Sequence, residues 1–385
     1  MRTKLIQGPL AAMLAGLLIG NGPTVVAQSA DALSWPNRVI DTHRVGEVSP
    51  VVTGIAIRPG VSEAIVVGDD HTLHLVDTNN GRLIQTLPGH EDWIRTIAFS
   101  PKGDTLLTAG SDRRILKWDL QTQRWGIFAS GNSSIEAIAY SPDGNLVAAV
   151  GFESKLRIYD GRTGRSQTAL DCPCSDLRAV AFSADGTKLA AGGRSGQLLI
   201  WENRNGKWNP VSQEVIHQQR IHGLSFIGSD RVVSISEDRT VHLADLGSAA
   251  GSGVVATMPS KLYSLAIISP DLIACGSSDN RIHLIDLQEK KSIGYLESHQ
   301  GTVSSLAFAE GKLVSGSYDG ETRVWQAQAG IAVASNQLNR PSAEPSASFD
   351  LPALGVGSVG VGTTSERSAS QPNASPPLLP IRSIR

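Results

Sequence analysis

The clearest pattern of apolar and polar positions lies between Gly89 and Asp119. Three short apolar runs, Ile94-Arg95-Thr96-Ile97-Ala98-Phe99, Leu106-Leu107-Thr108-Ala109-Gly110 and Ile115-Leu116-Lys117-Trp118, are separated there by turn residues. Runs of this length between Gly, Pro, Asp and Ser predict strands rather than helices. The third run returns as Leu75-Val76-Asp77, Trp118-Asp119, Ile158-Tyr159-Asp160, Ile200-Trp201-Glu202, Leu243-Ala244-Asp245, Leu284-Ile285-Asp286 and Val324-Trp325-Gln326. The steps between copies are 42, 41, 42, 43, 41 and 40 residues. The first run aligns as well, from Ile55-Ala56-Ile57 and Ile97-Ala98-Phe99 to Leu306-Ala307-Phe308. Turns such as Pro142-Asp143-Gly144 follow it, then a second apolar run such as Leu146-Val147-Ala148-Ala149-Val150. Arg82-Leu83-Ile84-Gln85-Thr86-Leu87 shows a fourth run.

Four strands per unit and seven units of about 41 residues predict an all-β fold, a seven-bladed β-propeller with four-stranded antiparallel blades. The Gly89-His90 start, the Phe99-Ser100-Pro101 turn and the Trp118-Asp119 end resemble the WD40-repeat family. The resemblance covers about Val51 to Gln326 and is strongest in units two and seven. It implies that the N-terminal stretch near 38–43, Arg38-Val39-Ile40-Asp41-Thr42-His43, supplies the outer strand of blade seven. Ile331-Ala332-Val333-Ala334 competes for the same slot.

The flanks differ in composition. Arg2 and Lys4 precede the apolar run Leu10–Ile19 and the small-residue site Val25-Val26-Ala27. This reads as a signal peptide over 1–27, with a periplasmic or secreted product. The run is shorter than the roughly 20 residues a membrane helix needs, so no span is expected in the mature chain. Residues 28–335 form the expected propeller, of a secreted bacterial-type member. Residues 336–385, rich in Ser, Pro and Gly, are expected to be disordered, because they offer little apolar area to offset ordering entropy.

Charge and cysteine content narrow the picture. A net charge of −2 gives no argument for a nucleic-acid partner. Cys172, Cys174 and Cys275 form no CxxC pair, so a cysteine zinc site is not expected. Gly355-Val356-Gly357-Ser358-Val359-Gly360 matches a dinucleotide fingerprint in letters, but follows no strand and opens no helix.

Two blades carry a set that invites a catalytic reading. His90, Thr108, Asp112 and Trp118 recur as His299, Ser315, Asp319 and Trp325 with nearly the same spacing. A buried indole N–H and a buried hydroxyl both need partners, so structural bonding is the expectation, as the resemblance also implies. Unit five keeps Ser234 and Asp238 but has Ala244 for Trp, and unit six has Cys275 and Ile285. Those blades are expected to rest on packing alone. His74, His242 and His283 share one slot, which Arg157 and Arg323 fill elsewhere, so no metal site is expected there. No catalytic residue and no cofactor is expected.

The resemblance implies that partners bind the rim where the chain comes into each inner strand. Trp93, Arg95, Asp176, Arg178, Arg220, His222, Lys261 and Tyr263 make this rim cationic and aromatic in blades two, four, five and six. Trp, Tyr and Arg are the types enriched at interface hot spots. The expected function is a monomeric, non-catalytic scaffold for a protein or peptide partner. The alternative is a propeller enzyme or small-ligand sensor, lactonase- or hydrolase-like, using carboxylates or imidazoles converging on the central channel.

Overall fold

The computed structural model describes residues 31–40, 50–297, 299–327 and 379–380. It is all-β: seven antiparallel sheets, one per repeat. Blade one runs Val52–Ile57, Glu63–Gly68, Thr72–Asp77 and Arg82–Pro88 from axis to periphery, and blade two Ile94–Phe99, Leu106–Gly110, Arg114–Asp119 and Arg124–Ser130. Blades three to six repeat this order, and their inner strands are Ile135–Tyr140, Leu177–Phe182, Ile221–Ile227 and Leu262–Ser269. Blade seven takes three strands from its own repeat, Val303–Ala309, Lys312–Ser317 and Thr322–Gln326. Its fourth is Asn37–Ile40, paired antiparallel with Arg38 opposite Val324.

The N-terminal stretch therefore takes the outer slot of blade seven, and inner strands of blades one and seven are neighbours. Residues 41–43 and the competing 331–334 lie outside the described residues, as do 1–27 and most of 336–385. Within that last segment, Leu379–Pro380 is described and pairs with Trp125 and Arg124 as a fifth strand on blade two. An outer strand leaves a row of backbone donors and acceptors open, and proline is tolerated at such an edge.

The middle strands are apolar on both faces because each blade is stacked between two others. Leu106–Gly110 is buried at every position. The core is correspondingly divided into seven apolar layers, one in each gap between neighbouring blades. Trp118 fills the layer between blades one and two. Trp325 fills the layer between six and seven, beside Trp35. Residues ahead of the closing strand reach further, as Leu33 N–H donates to the Tyr295 carbonyl of blade six at 2.7 Å. Among the described residues, no helix is long and apolar enough to cross a membrane.

Candidate functional site

Six of the seven inner strands run straight except at one point near their start, where register with the second strand slips by one residue; the seventh, in blade six, slips a second time near its end. The residue skipped near the start is Thr53, Arg95, Glu136, Arg178, His222, Tyr263 or Ser304. A bulge of this kind re-aims its extra side chain. All seven, with Tyr318, line one cavity of about 160 Å³ at the mouth of the channel. This is about half the lower bound of roughly 300 Å³ for small-molecule sites.

A second repeated contact builds the surrounding rim. The residue just past each second strand donates its N–H to the carbonyl of the inbound residue, as Ser111 does to Trp93 and Tyr318 to Thr302. The last residue of the second strand then sits against that carbonyl. At Gly110 an added Cβ would stand 2.0 Å from the Trp93 oxygen. Gly68, Gly151 and Gly193 are equally confined, and Ser236, Ser277 and Ser317 take the position in the other blades. This contact brings Phe152, Arg194, Glu237 and Tyr318 to the rim, residues the sequence reading did not select. Their signal was a small residue followed by a variable one in every repeat. Trp93, Phe152 and Tyr318 are exposed aromatics at 39%, 45% and 52%.

The expected cationic rim is mostly self-neutralised. Arg178 donates to Glu136 of blade three at 2.7 Å and to Asp176 at 2.6 Å. Arg220 bridges Asp176 and Glu237, both at 3.0 Å. Glu237 also meets His222 and Lys261, each at 2.9 Å. One chain of ion pairs thus crosses blades three to six. Burial raises the Glu237 carboxyl, but hydrogen bonds from Lys261 and His222 outweigh this and hold it down at about 2. Asp176 is 6% exposed, so it orders two guanidinium groups instead of facing a partner. Arg178 also lies over the Phe152 ring at 4.6 Å. Arg95 differs: its Nε donates to Ser111 Oγ at 3.1 Å and its plane rests over Trp93 at 4.6 Å. Among the described residues no carboxylate lies within ion-pair distance of it.

The His–Thr–Asp–Trp sets form the expected chains. Trp118 Nε1 donates to Thr108 Oγ1 at 2.8 Å, and His90 bonds Thr108 at 2.7 Å and Asp112 at 2.8 Å. The indole can only donate, so Thr108 gives its proton to His90 Nε2, and Nδ1–H faces Asp112. Blade seven repeats this with Trp325, Ser315, His299 and Asp319. Burial would raise the Asp112 carboxyl, yet the bonds from His90, Arg114 and Glu91 hold it well below its usual range. Thr108 and Ser315 are fully buried, which denies them a hydrolytic role.

Blade five corrects the expectation that it rests on packing alone. His217, which its Ile216-His217-Gln218 context hid, bonds Ser234 at 2.8 Å and Asp238 at 3.1 Å. A partition follows. Blades two, five and seven, with an inbound His, give it the turn Asp. Blades one, three and six lack that His, and the turn acid pairs four residues on: Asp70–His74, Glu153–Arg157 and Asp279–His283. This explains the shared slot without a metal. His242 is the exception, because His217 has taken Asp238; its Nδ1 is buried without a partner. His299, Asp319 and Glu321 bring three ligand atoms within 4.8 Å, but both His299 ring nitrogens are already bonded.

The channel offers little to the enzyme alternative. Glu136 and His222 do converge on its mouth, but each is engaged by a neighbour. The opposite mouth is a cavity of about 400 Å³ lined by Phe99, Tyr140, Phe182 and Phe226.

A family model described as the IFT122 first beta-propeller matches residues 51–326. The nuclear distribution protein PAC1 of Arthroderma benhamiae is 25% identical over 171 residues, 41% of this chain and 37% of that one. Protein transport protein sec13 of Aspergillus oryzae is 26% identical over 147 residues, 33% of this chain and 50% of that one. The THO complex subunit 6 homolog of Danio rerio is 31% identical over 126 residues, 31% of this chain and 39% of that one. The chain spans half or less of the length of these relatives.

Proposed function

The chain belongs to the WD40-type β-propeller family, and from that premise we propose that it is a non-catalytic scaffold whose inbound rim holds a protein or peptide partner. The observation that carries this is the seven bulged residues focused on one small mouth, ringed by the exposed Trp93, Phe152 and Tyr318. A mouth of about 160 Å³ suits one inserted side chain better than a substrate, and the aromatics supply the flat area of an interface core. Relatives named for nuclear distribution, protein transport and a THO complex support an assembly role. Within the same proposal the partner is not a nucleic acid, the propeller is a monomer, and the chain is exported. Export rests on Arg2, Lys4 and the apolar run ending at Ile19; N-terminal sequencing of the cellular product is expected to start near Gln28.

The rim is tested with Trp93→Ala combined with Tyr318→Ala, beside Ile127→Ser on the outer strand of blade two as control. Crosslinked partners from the native compartment are expected to disappear with the double variant and persist with the control. Persistence with the folded double variant would remove the rim assignment.

A further inference from the structure

We propose that the mouth of the channel is a receptor for one carboxylate side chain of the partner, gripped by Arg95. The inference deepens the scaffold reading and rests on it. Its basis is an imbalance of charge. The cavity at the mouth is itself lined by two fixed cations, Arg95 and Arg178, and one carboxylate, Glu136. Arg178 is matched to Glu136 and to Asp176. Arg95 remains.

The geometry of Arg95 is that of a prepared donor. Its Nε is tied to Ser111 Oγ and its plane is stacked on Trp93. The two terminal NH groups make no hydrogen bond among the described residues. They form the face of a guanidinium that matches a carboxylate with two parallel bonds. Fixing the fork beforehand removes part of the ordering entropy that binding would otherwise lose. Trp93 covers one face of the guanidinium, and Tyr318 lines the same cavity.

The same features choose a carboxylate over other groups. A partner Lys or Arg would meet the unmatched positive charge. A phosphate carries up to two negative charges and is ordinarily held by several Arg or Lys, and only one cation lining the mouth is unmatched. The partner segment is therefore an acidic residue, Asp or Glu, next to an apolar or aromatic residue that covers Trp93 or Tyr318.

The test pans a displayed random decapeptide library on the full-length purified chain and measures selected peptides by fluorescence anisotropy. Enrichment of Asp or Glu beside apolar residues is expected. Arg95→Gln is expected to weaken these peptides by roughly 10–100-fold, the range for hydrogen bonds to charged groups. Arg95→Lys, which keeps the charge and loses the fork, falls between, and Arg95→Glu shifts selection to Lys and Arg. Thermal melting of each variant shows that the fold is kept. Peptides that weaken with Trp93→Ala and Tyr318→Ala but show no acid preference, or ignore Arg95→Gln, overturn the carboxylate receptor and leave the rim standing. Peptides indifferent to all of these variants, or no enrichment at all, overturn the rim reading too. A phosphoserine peptide binding more tightly than its Glu counterpart overturns the choice of carboxylate.

Discussion

At the scale of single residues, the hydroxyl of Thr108 shows what a buried bonding set contributes to stability. It accepts from Trp118 and donates to His90 in a fully buried position. Thr108→Val keeps the shape and orphans two polar atoms, with an expected destabilisation of about 2–3 kcal/mol in urea unfolding. Ser234→Ala orphans only His217, since Ala244 stands where the indole would be, and a loss about 1 kcal/mol smaller is expected. Equal losses would show that the indole bond adds nothing. His242 gives the opposite sign. Its Nδ1 is buried and unpartnered, and Leu116 and Leu199 occupy the same slot in blades two and four. His242→Leu is expected to raise stability by about 1 kcal/mol; a lower melting temperature would mean that His242 supports Asp238 after all. The recurring sets were legible because their residues recur at fixed spacing. His217 was not, because no Gly precedes it and no Trp completes its set.

At the scale of elements, the closing strand matters most. Asn37–Ile40 seals the edge of Thr322–Gln326, while Trp35 and Ile40 are buried in different inter-blade layers. Trp35→Ala is expected to cost about 3–5 kcal/mol by leaving a cavity. Removing residues 31–40 leaves Thr322–Gln326 as an open edge and is expected to produce concentration-dependent association by light scattering. A monodisperse, cooperatively melting truncated chain would show that another segment fills the slot. The strands themselves were legible as short apolar runs. The bulges went unread, although each leaves a mark: the apolar positions of every inner strand step by three before resuming the period of two, as Ile94, Ile97 and Phe99 do, and the small residue closing each second strand records the contact beside it.

At the scale of the molecule, seven stacked layers close the ring and a belt of ion pairs ties blades three to six together. Arg178→Gln and Arg220→Gln should therefore act on stability, and Arg95→Gln should not. The histidines give the molecule a pH dependence. Burial pushes His217, His222, His242 and His299 below their ordinary pKa of 6.5. The unfolded chain takes up these protons first as pH falls below 6.5, so stability declines with acidification. Their partners Glu237, Asp238 and Asp319 are raised by burial and lowered more by hydrogen bonds, so they stay ionised through this window. The melting temperature is expected to fall from pH 7 to pH 5; a constant value would show that the histidines titrate alike in both states.

The sequence by itself determined what is periodic: strand content, the number of blades, the two complete hydrogen-bonding sets and the rim positions at the start of each inner strand. These depend on spacing along the chain, and each repeat states them again. Only the tertiary structure decided which rim charges are free. Glu136–Arg178 and Asp176–Arg220 join residues 42 and 44 apart in sequence, and Arg323 of blade seven meets Asn37 across 286 residues. The two rim pairs follow from how neighbouring blades stand around the axis, where an equivalent position in the next repeat becomes a neighbour, and the third from the N-terminal strand that completes blade seven. Among the rim cations read from the sequence, Arg178, Arg220 and Lys261 thereby join a neutralised belt, while Arg95 keeps an open guanidinium face.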